Sequence, residues 1–393
     1  MGPVKILAGL LVIGVLGGCA GTPQDVIGVD GQAFSAIDVP DITKHRIVVA
    51  STRALSLDNP ARMFTGARST DLHFATVDMF VPPSHETGRI ERADRLPPDP
   101  RTDMVALNPR MLEGKSGFVG QIERELRERS PADRNVLVFV HGYNTSFDAA
   151  LFRFTQFVHD TGYQGVPILF TWPSGGRVTD YVYDINSVLG SRDSLLETFR
   201  LIAQTPARRG DIVAHSMGNF LTVETLRQAA ISGLFGNGER LRYVIMASPD
   251  IDIDVFETQV RSMPQGLHKF YVLLSEDDRP LAISRRIAGR VDRVGNSPEI
   301  ERLEGLGINV VDLSQVEVKD SLHHSKFADA PAIVQMIGKR LQDGEDQLST
   351  AGGQSVTVRL VQGVVSTATG VVNTATAIPR SILPADQRVF VDR

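Results

Sequence analysis

The residues best suited to covalent chemistry surround Ser216, in the stretch Asp-Ile-Val-Ala-His-Ser-Met-Gly over residues 211–218. The apolar run before the serine predicts a buried strand, and the apolar spacing after it predicts a helix. Where a strand turns directly into a helix, the residues two positions before and after the turn must have small side chains. Ala214 and Gly218 hold these positions. The stretch therefore predicts a strained turn that exposes the Ser216 hydroxyl for attack. A serine that only caps the helix is the alternative.

A serine hydroxyl needs a base to take its proton and a carboxylate to orient that base. Beyond Ser216 the sequence offers His268, His323 and His324. His268 begins a predicted strand, whereas His323 and His324 lie in a polar loop after the last strand and are free to reach the sheet edge. Either of these two is a candidate base. His215, beside the serine, is expected to point away from the site and to be structural.

Acidic residues follow two of the predicted strands. Glu276, Asp277 and Asp278 form one cluster, in which Asp278 is the preferred orienting carboxylate and Asp277 the alternative. The preceding loop offers Asp252, although alternation of its acids with isoleucine favours helix capping and solvation. Because that loop lacks the glycine turn and closing glutamate of a calcium loop, we expect no metal site.

The sequence His-Gly-Tyr-Asn follows a buried apolar run at residues 136–140. Glycine at 142 lets the backbone approach closely, so the amide of Tyr143 is a candidate oxyanion donor together with the amide of Met217, just after the serine. A tight turn with Asn144 as a helix cap is the alternative, and the two interpretations are compatible.

The elements that must position these residues alternate between strand and helix from residue 134 onwards. Repeated units of this length predict an α/β fold with a mostly parallel central sheet and helices on both faces. In such a sheet, ligands bind at the carboxyl ends of the strands, where the serine, the acids and the histidines are all predicted to lie. Two further strands are expected at 46–53 and 71–81, and residues 92–117 look irregular.

The chain order Ser216, Asp278, His324 is that of α/β-hydrolases. Six segments resemble a family of bacterial α/β-hydrolases described as esterase- or lipase-like proteins of unknown function: 82–91, 139–145, 170–174, 214–218, 248–252 and 324–327. The resemblance covers about residues 45–343 and implies the fold and the catalytic machinery without a substrate. It favours His324 over His323, although His323 stands where that family tends to have glycine. Ala214 likewise replaces the usual glycine.

These features predict a serine hydrolase that cleaves carboxylic esters, short-chain or otherwise soluble, through an acyl-enzyme and without a cofactor. The substrate pocket could be lined by Trp172, Tyr181 and Tyr183. Trp172 is equally suited to packing at the edge of the hydrophobic core. An acyltransferase with the same triad and a catalytically inactive envelope binding module are the alternatives.

Composition narrows the class of protein. The 393 residues are 42% hydrophobic and 22% charged, as in ordinary soluble globular proteins. The net charge is −5, and the sequence has no run of basic residues of the kind that binds nucleic acid. The single cysteine, Cys19, excludes an intramolecular disulfide.

The amino-terminal segment has the layout of a secretory signal over residues 1–18, with Lys5 followed by an apolar run at 6–16. Residues 16–19 resemble a bacterial lipobox, which implies that Cys19 carries a lipid anchor to the membrane. Ala20 resembles the pattern of lipoproteins on the periplasmic face of the outer membrane. A simple cleaved signal, or an uncleaved anchor with an incidental cysteine, is the alternative.

The predicted organisation has three parts after the signal. Residues 19–45 are expected to form a flexible tether of about 25–30 Å, residues 46–343 the α/β-hydrolase domain, and residues 344–393 a low-complexity tail. A seven-residue repeat at 363–369 and 370–376 lies in that tail, which we expect to be disordered or loosely packed.

Overall fold

A computed structural model describes residues 23–234, 240–263, 269–343, 357–361, 364–368 and 376–377. The predicted signal over 1–18, Cys19 and His268 lie outside the described residues.

Twelve strands form a single sheet in the part of the chain that the structure describes. The strands are β1 (Thr43–Leu55), β2 (Phe64–Val81), β3 (Val105–Met111), β4 (Val136–Val140), β5 (Val166–Thr171), β6 (Gly210–His215), β7 (Leu241–Ala247), β8 (Phe270–Leu274), β9 (Asn309–Asp312), β10 (Thr357–Val361), β11 (Val364–Ala368) and β12 (Thr376–Ala377). Their order is β12-β11-β10-β9-β8-β7-β6-β4-β5-β1-β2-β3. From β10 to β1 all neighbours are parallel, and antiparallel strands flank them on both sides.

Helices cover both faces of this sheet. They are α1 (Gly114–Arg127), α2 (Phe147–Asp160), α3 (Tyr181–Ala203), α4 (Met217–Ile231), α5 (Ile253–Arg261), α6 (Arg279–Ile287), α7 (Ile300–Glu304), α8 (Lys326–Asp329) and α9 (Pro331–Asp343). Alternate residues of a strand enter opposite cores: Leu137 and Phe139 pack with α2, α8 and α9, whereas Val136 and Val138 pack with α1, α3, α4 and α5. The predicted fold class is confirmed. None of the described helices is long and apolar enough to span a bilayer.

The structure differs from the sequence-based expectation within 92–117, where β3 replaces an irregular segment. Pro109 lies inside this strand and obscures it in the sequence. The residue is tolerated because it lies at a register shift between β3 and β2, where Leu107 pairs with Asp78 and Arg110 with Thr76.

The predicted flexible tether needs correction from Pro23 onwards. Val26 and Ile27 are buried, and the amide of Ile27 donates to the carbonyl of Ala61 at 2.9 Å. The next amide, that of Gly28, donates to Ala106 at 2.7 Å. Apolar residues scattered among glycine, aspartate and proline gave no periodic signal, yet they are sufficient to pack this segment onto the domain.

The described part of the predicted tail continues the sheet. β10 pairs with β9 in parallel, and β11 returns antiparallel to β10. Val358 is buried. The β-branched residues that make a helix unfavourable here are suited to strands, so this part of the tail differs from the expected disordered or loosely packed segment.

Candidate active site

Ser216 lies at the sharp turn between β6 and α4. Its backbone has φ 52° and ψ −125°, a region that costs a non-glycine residue about 1–3 kcal/mol. The side chain makes no capping hydrogen bond to α4, which argues against the alternative of a simple helix cap. Glycine at 218 is required because a Cβ there would lie 2.3 Å from the carbonyl oxygen of His141. The strained turn predicted from the sequence is therefore present.

His324 and Asp278 form a directed pair at the same edge of the sheet. Nδ1 of His324 lies 2.7 Å from Oδ2 of Asp278, whose other oxygen accepts the amide of Leu281 at 3.0 Å and caps α6. Asp278 is completely buried. A carboxylate held in this way favours the tautomer that carries its proton on Nδ1, which leaves Nε2 of His324 available as a base.

The loop that bears His324 is docked on the residues next to Ser216. The His324 carbonyl accepts hydrogen bonds from Ser248 Oγ at 3.2 Å and from His215 Nε2 at 3.1 Å. The His215 ring lies 4.6 Å from that of His324 and 5.0 Å from that of Phe327, between centroids. Loss of hydration, followed by the nearby His324, lowers the pKa of His215 well below its ordinary value. His215 contacts the His324 loop, whereas the sequence analysis expected it to point away; its structural role stays a prediction.

The alternative pair, His323 and Asp277, is occupied differently. Nδ1 of His323 lies 2.6 Å from Asp277 without the alignment of a hydrogen bond. Asp277 also accepts from Nζ of the buried Lys326 at 2.8 and 3.0 Å. Burial alone would raise the pKa of Asp277, but the hydrogen bonds from Lys326 and Ser275 hold it below its ordinary value. The charge of Asp277 is thus matched by Lys326, whereas no lysine or arginine lies within 4.0 Å of Asp278 among the described residues.

Asp252, the remaining alternative acid, caps a helix. Its Oδ1 accepts the amides of Asp254 and Val255 at the start of α5. Its neighbour Asp250 lies closer to the nucleophile, because its amide donates to the Ser216 carbonyl at 3.2 Å. Among the described residues, no group of three or more histidine, cysteine, aspartate or glutamate side chains is arranged to hold a metal ion.

The loop after β4 lies directly against the nucleophile. A Cβ at Gly142 would lie 2.8 Å from Cβ of Ser216, so only glycine permits this approach. Tyr143 is the next residue, and Met217 is the first residue of α4, where an amide has no acceptor within the helix. The assignment of these two amides to an oxyanion hole stays a prediction, and the approach of Gly142 to Ser216 supports it.

A buried cation that the sequence analysis missed fixes this loop. Arg53, at the end of β1, is 1% exposed and donates to the carbonyl of Thr145 at 2.6 Å, to that of Ser174 at 3.1 Å and to Oγ1 of Thr171 at 2.7 Å. Burial lowers the pKa of Arg53 to about 10, so the group remains charged at neutral pH. An arginine that ends a predicted strand gives no sign of burial, because most arginines are exposed.

A buried carboxylate holds the same loop from the other side. Asp184 of α3 accepts the amide of Asn144 at 3.2 Å, the hydroxyl of Ser174 at 2.6 Å and the amide of Gly175 at 2.8 Å. The Ser174 hydroxyl in turn accepts the amide of Thr145 at 3.0 Å. Burial raises the pKa of Asp184. Arg53 and Asp184 therefore fix the loop after β4 through its backbone.

Trp172 belongs to the core and not to a pocket wall. It is completely buried, its Nε1 donates to the His141 carbonyl at 2.8 Å, and its ring stacks on His141 with centroids 5.0 Å apart. Tyr181 contacts Asp250 and Ser284 instead, and Tyr183 stacks under Arg68.

The family can now be identified. Residues 119–340, a little over half of the chain, match the family described as "Alpha/beta hydrolase of unknown function (DUF900)". The chain belongs to this family. No curated protein matches this α/β-hydrolase.

Three similar solved structures are distant in sequence. A Rhizomucor miehei esterase shares 12% identity over 78% of this chain and 86% of its own, with a TM-score of 0.33. A Pyrobaculum calidifontis esterase shares 10% over 78% and 86%, with a TM-score of 0.34. Carboxyl esterase 2 of Tuber melanosporum shares 9% over 78% and 88%, with a TM-score of 0.36.

Proposed function

We propose that this α/β-hydrolase is a serine hydrolase that cleaves carboxylic esters through an acyl-enzyme. The proposal depends on Ser216, which has a strained backbone at the strand-to-helix turn. The loop that bears His324 docks beside this turn, and the buried Asp278 orients the His324 ring. Ser216 has φ 52°, and presentation of its hydroxyl at a sharp strand-to-helix turn accounts for this strain.

In the proposed reaction, Nε2 of His324 takes the proton of Ser216 as Oγ bonds to the ester carbonyl carbon. Asp278 stabilises the imidazolium, and the amides of Tyr143 and Met217 stabilise the oxyanion. The C–O bond to the alcohol then breaks, and the alcohol leaves with the proton from His324. Water, deprotonated by His324, hydrolyses the acyl-enzyme and returns Ser216 to its hydroxyl form. Neither half-reaction needs a cofactor.

We further propose that the protein acts at the cell envelope, anchored through Cys19 on the periplasmic face of the outer membrane. Pro23 is hydrogen-bonded to Arg92 of the domain. Because Cys19 lies only four residues before Pro23, it would lie within about 14 Å of Pro23 even with this segment fully extended. This is shorter than the tether expected from composition. The short-chain or otherwise soluble nature of the ester stays a prediction, to be tested with an acyl chain-length series.

Fluorophosphonate labelling followed by peptide mapping tests the proposal. We expect a single modified peptide that contains Ser216, and Ser216→Ala should lower kcat by about 10⁶-fold with an unchanged circular dichroism spectrum. Labelling elsewhere, or normal ester turnover by the Ser216→Ala variant, would refute the assignment.

A further inference from the structure

The outer side of α6 carries arginine and isoleucine side chains next to the proposed site. Leu281 and Ser284 face the core, whereas Ile283 and Ile287 are 56% and 62% exposed. Exposed arginines share this side of the helix and the turn that follows it: Arg279, Arg286 and Arg290. Spacings of three and four residues place Arg279, Ile283, Arg286 and Ile287 on one side of α6, and Arg290 lies in the turn after it. The two isoleucines and three arginines are named the α6 face below.

The charges of the α6 face are unbalanced. No carboxylate of the described residues lies within 4.0 Å of any of its three arginines, whereas the adjacent Arg285 pairs with Asp292 at 2.8 Å. Other acids near the start of α6 are Glu276, Asp277 and Asp320, of which Asp277 is paired with Lys326. Three unpaired arginines therefore stand against the two remaining acids. In a chain with a net charge of −5, this local excess of positive charge is complementary to an anionic surface.

The α6 face adjoins the residues proposed to act in catalysis. Asp278 caps α6, and the amide of Arg279 donates to the carbonyl of Leu322 at 3.2 Å. Leu322 is 51% exposed and lies two residues before His324. From the core side of α6, Ser284 Oγ lies 2.8 Å from the hydroxyl of Tyr181 at the start of α3, where Val182 is 68% exposed. Exposed apolar side chains therefore lie around α6 on both neighbouring elements.

Pro23, the first described residue, also lies near this edge of the sheet. The carbonyl of Pro23 accepts from Arg92 at 2.9 Å, and Arg92 pairs with Asp148 in the first turn of α2. That helix directly follows the loop that contacts Ser216. In the proposed anchored protein, Cys19 lies four residues before Pro23, so the lipid would be attached within about 14 Å of this contact.

We propose that the α6 face docks this protein on an anionic lipid surface and that the ester is taken from that surface. The inference rests on the proposed function and names its substrate class, a lipid-borne ester, which departs from the soluble ester expected from the sequence. Arginines bind anionic headgroups, and isoleucines at helical spacing enter the boundary of the acyl region. Docking in this orientation presents the catalytic edge to the lipid.

The test compares the α6 face with an equal change elsewhere. Both variants are made in a chain that begins at residue 19 and carries Cys19→Ser, so that neither the apolar run at 6–16 nor an acyl chain contributes to lipid binding. The test variant carries Ile283→Ser, Ile287→Ser, Arg286→Gln and Arg290→Gln. The control carries Ile37→Ser, Ile231→Ser, Arg95→Gln and Arg110→Gln, all at exposed positions. Substrates are a soluble p-nitrophenyl ester and a fluorogenic ester embedded in vesicles of phosphatidylcholine with or without phosphatidylglycerol.

We expect the parent and the control to cosediment with anionic vesicles and to cleave the embedded ester at least about 10-fold faster there than in zwitterionic vesicles. The test variant should lose this preference and its cosedimentation, while its turnover of the soluble ester stays within about 2-fold. High salt should weaken binding of the parent, because headgroup attraction is screened.

The inference would be overturned if the parent and the test variant cosedimented equally and cleaved the embedded ester equally. Turnover of the soluble ester would in that case still support the proposed function. Absence of ester turnover by every protein would instead refute the proposed function. Cosedimentation, which needs no activity, would still decide whether the α6 face binds lipid.

Discussion

Asp277 and Asp278 are adjacent in the chain, and each faces a different histidine. The carboxylate of Asp278 is completely buried and bound to His324 and to the start of α6, whereas Asp277 is shared between His323 and Lys326. A carboxylate that must stabilise a developing imidazolium is most effective when its charge is not already neutralised. This difference supports Asp278 as the orienting acid.

Asp278→Asn should lower kcat for a soluble ester by about 10⁴-fold, because an amide favours the wrong tautomer of His324 and gives no charge to stabilise the imidazolium. The measurement is steady-state kinetics, with thermal unfolding to confirm that the variant folds.

Asp277→Asn is the matched control and should lower kcat by less than about 10-fold, since Lys326 keeps its carbonyl acceptors at Leu313 and Ser314. A larger loss in Asp277→Asn than in Asp278→Asn would reverse the assignment of the acid and favour His323 as the base.

At the scale of elements, the loop after β4 is positioned by groups that do not contact Ser216. Asp184→Asn removes a charged acceptor for the backbone of this loop, and we expect kcat to fall by about 10- to 100-fold because a small displacement of the amides weakens oxyanion stabilisation. The KM for a soluble ester should change little. Asp193→Asn, on an exposed position of the same helix, serves as the control and should leave kcat unchanged. Equal kinetics in both variants would exclude a positioning role for Asp184.

The elements predicted best were those whose sequence determines them locally. The apolar run at 136–140 matches β4 residue for residue, and the Ser216 turn follows from Ala214 and Gly218. The sequence missed Arg53 and Asp184, because burial of a charge depends on partners from several distant strands and loops. The sequence also could not distinguish the pair Asp277–His323 from the pair Asp278–His324, because residue spacing does not show which side chains are in contact.

A second cluster of ionisable side chains connects the segment after β2 to α2. His85 lies 2.7 Å from both Glu91 and Asp160, and the amide of Gly88 donates to Asp160 at 2.8 Å. Burial alone would lower the pKa of His85, but the hydrogen bonds to Asp160 and Glu91 raise it to about 9. The segment is therefore held by a histidine that stays charged at neutral pH.

His85→Gln should make the free energy of unfolding less sensitive to alkaline pH. A pKa raised in the folded state gives stability that is fully present below about pH 6.5 and is lost as the pH rises through about 9. Urea unfolding at pH 7 and pH 10 gives the free energy of unfolding of the wild-type protein and of the variant. After allowance for solvent screening, we expect the difference between the two proteins to be about 1–2 kcal/mol larger at pH 7 than at pH 10. An identical difference at both pH values would show that His85 does not remain charged.

For the whole molecule, the segment at 23–42 is part of the folded domain. Val26, Ile27, Ala36 and Val39 are buried, and Asp25 forms an ion pair with Arg62. We expect a chain that begins at Ile42 to be less stable than one that begins at Pro23, by on the order of 3 kcal/mol from the apolar surface that is exposed. Urea unfolding of both chains measures this difference.

Comparison of the chain that begins at Pro23 with the full-length protein supplies the control for this deletion. Removal of the first 22 residues leaves the hydrogen bond of Pro23 and the packing of Val26 and Ile27 intact, so we expect the free energy of unfolding and the turnover of a soluble ester to stay unchanged. Equal stability of all three proteins would contradict the packing of residues 23–42 and restore a long tether. That result would also remove the limit of about 14 Å on the distance between Cys19 and the domain.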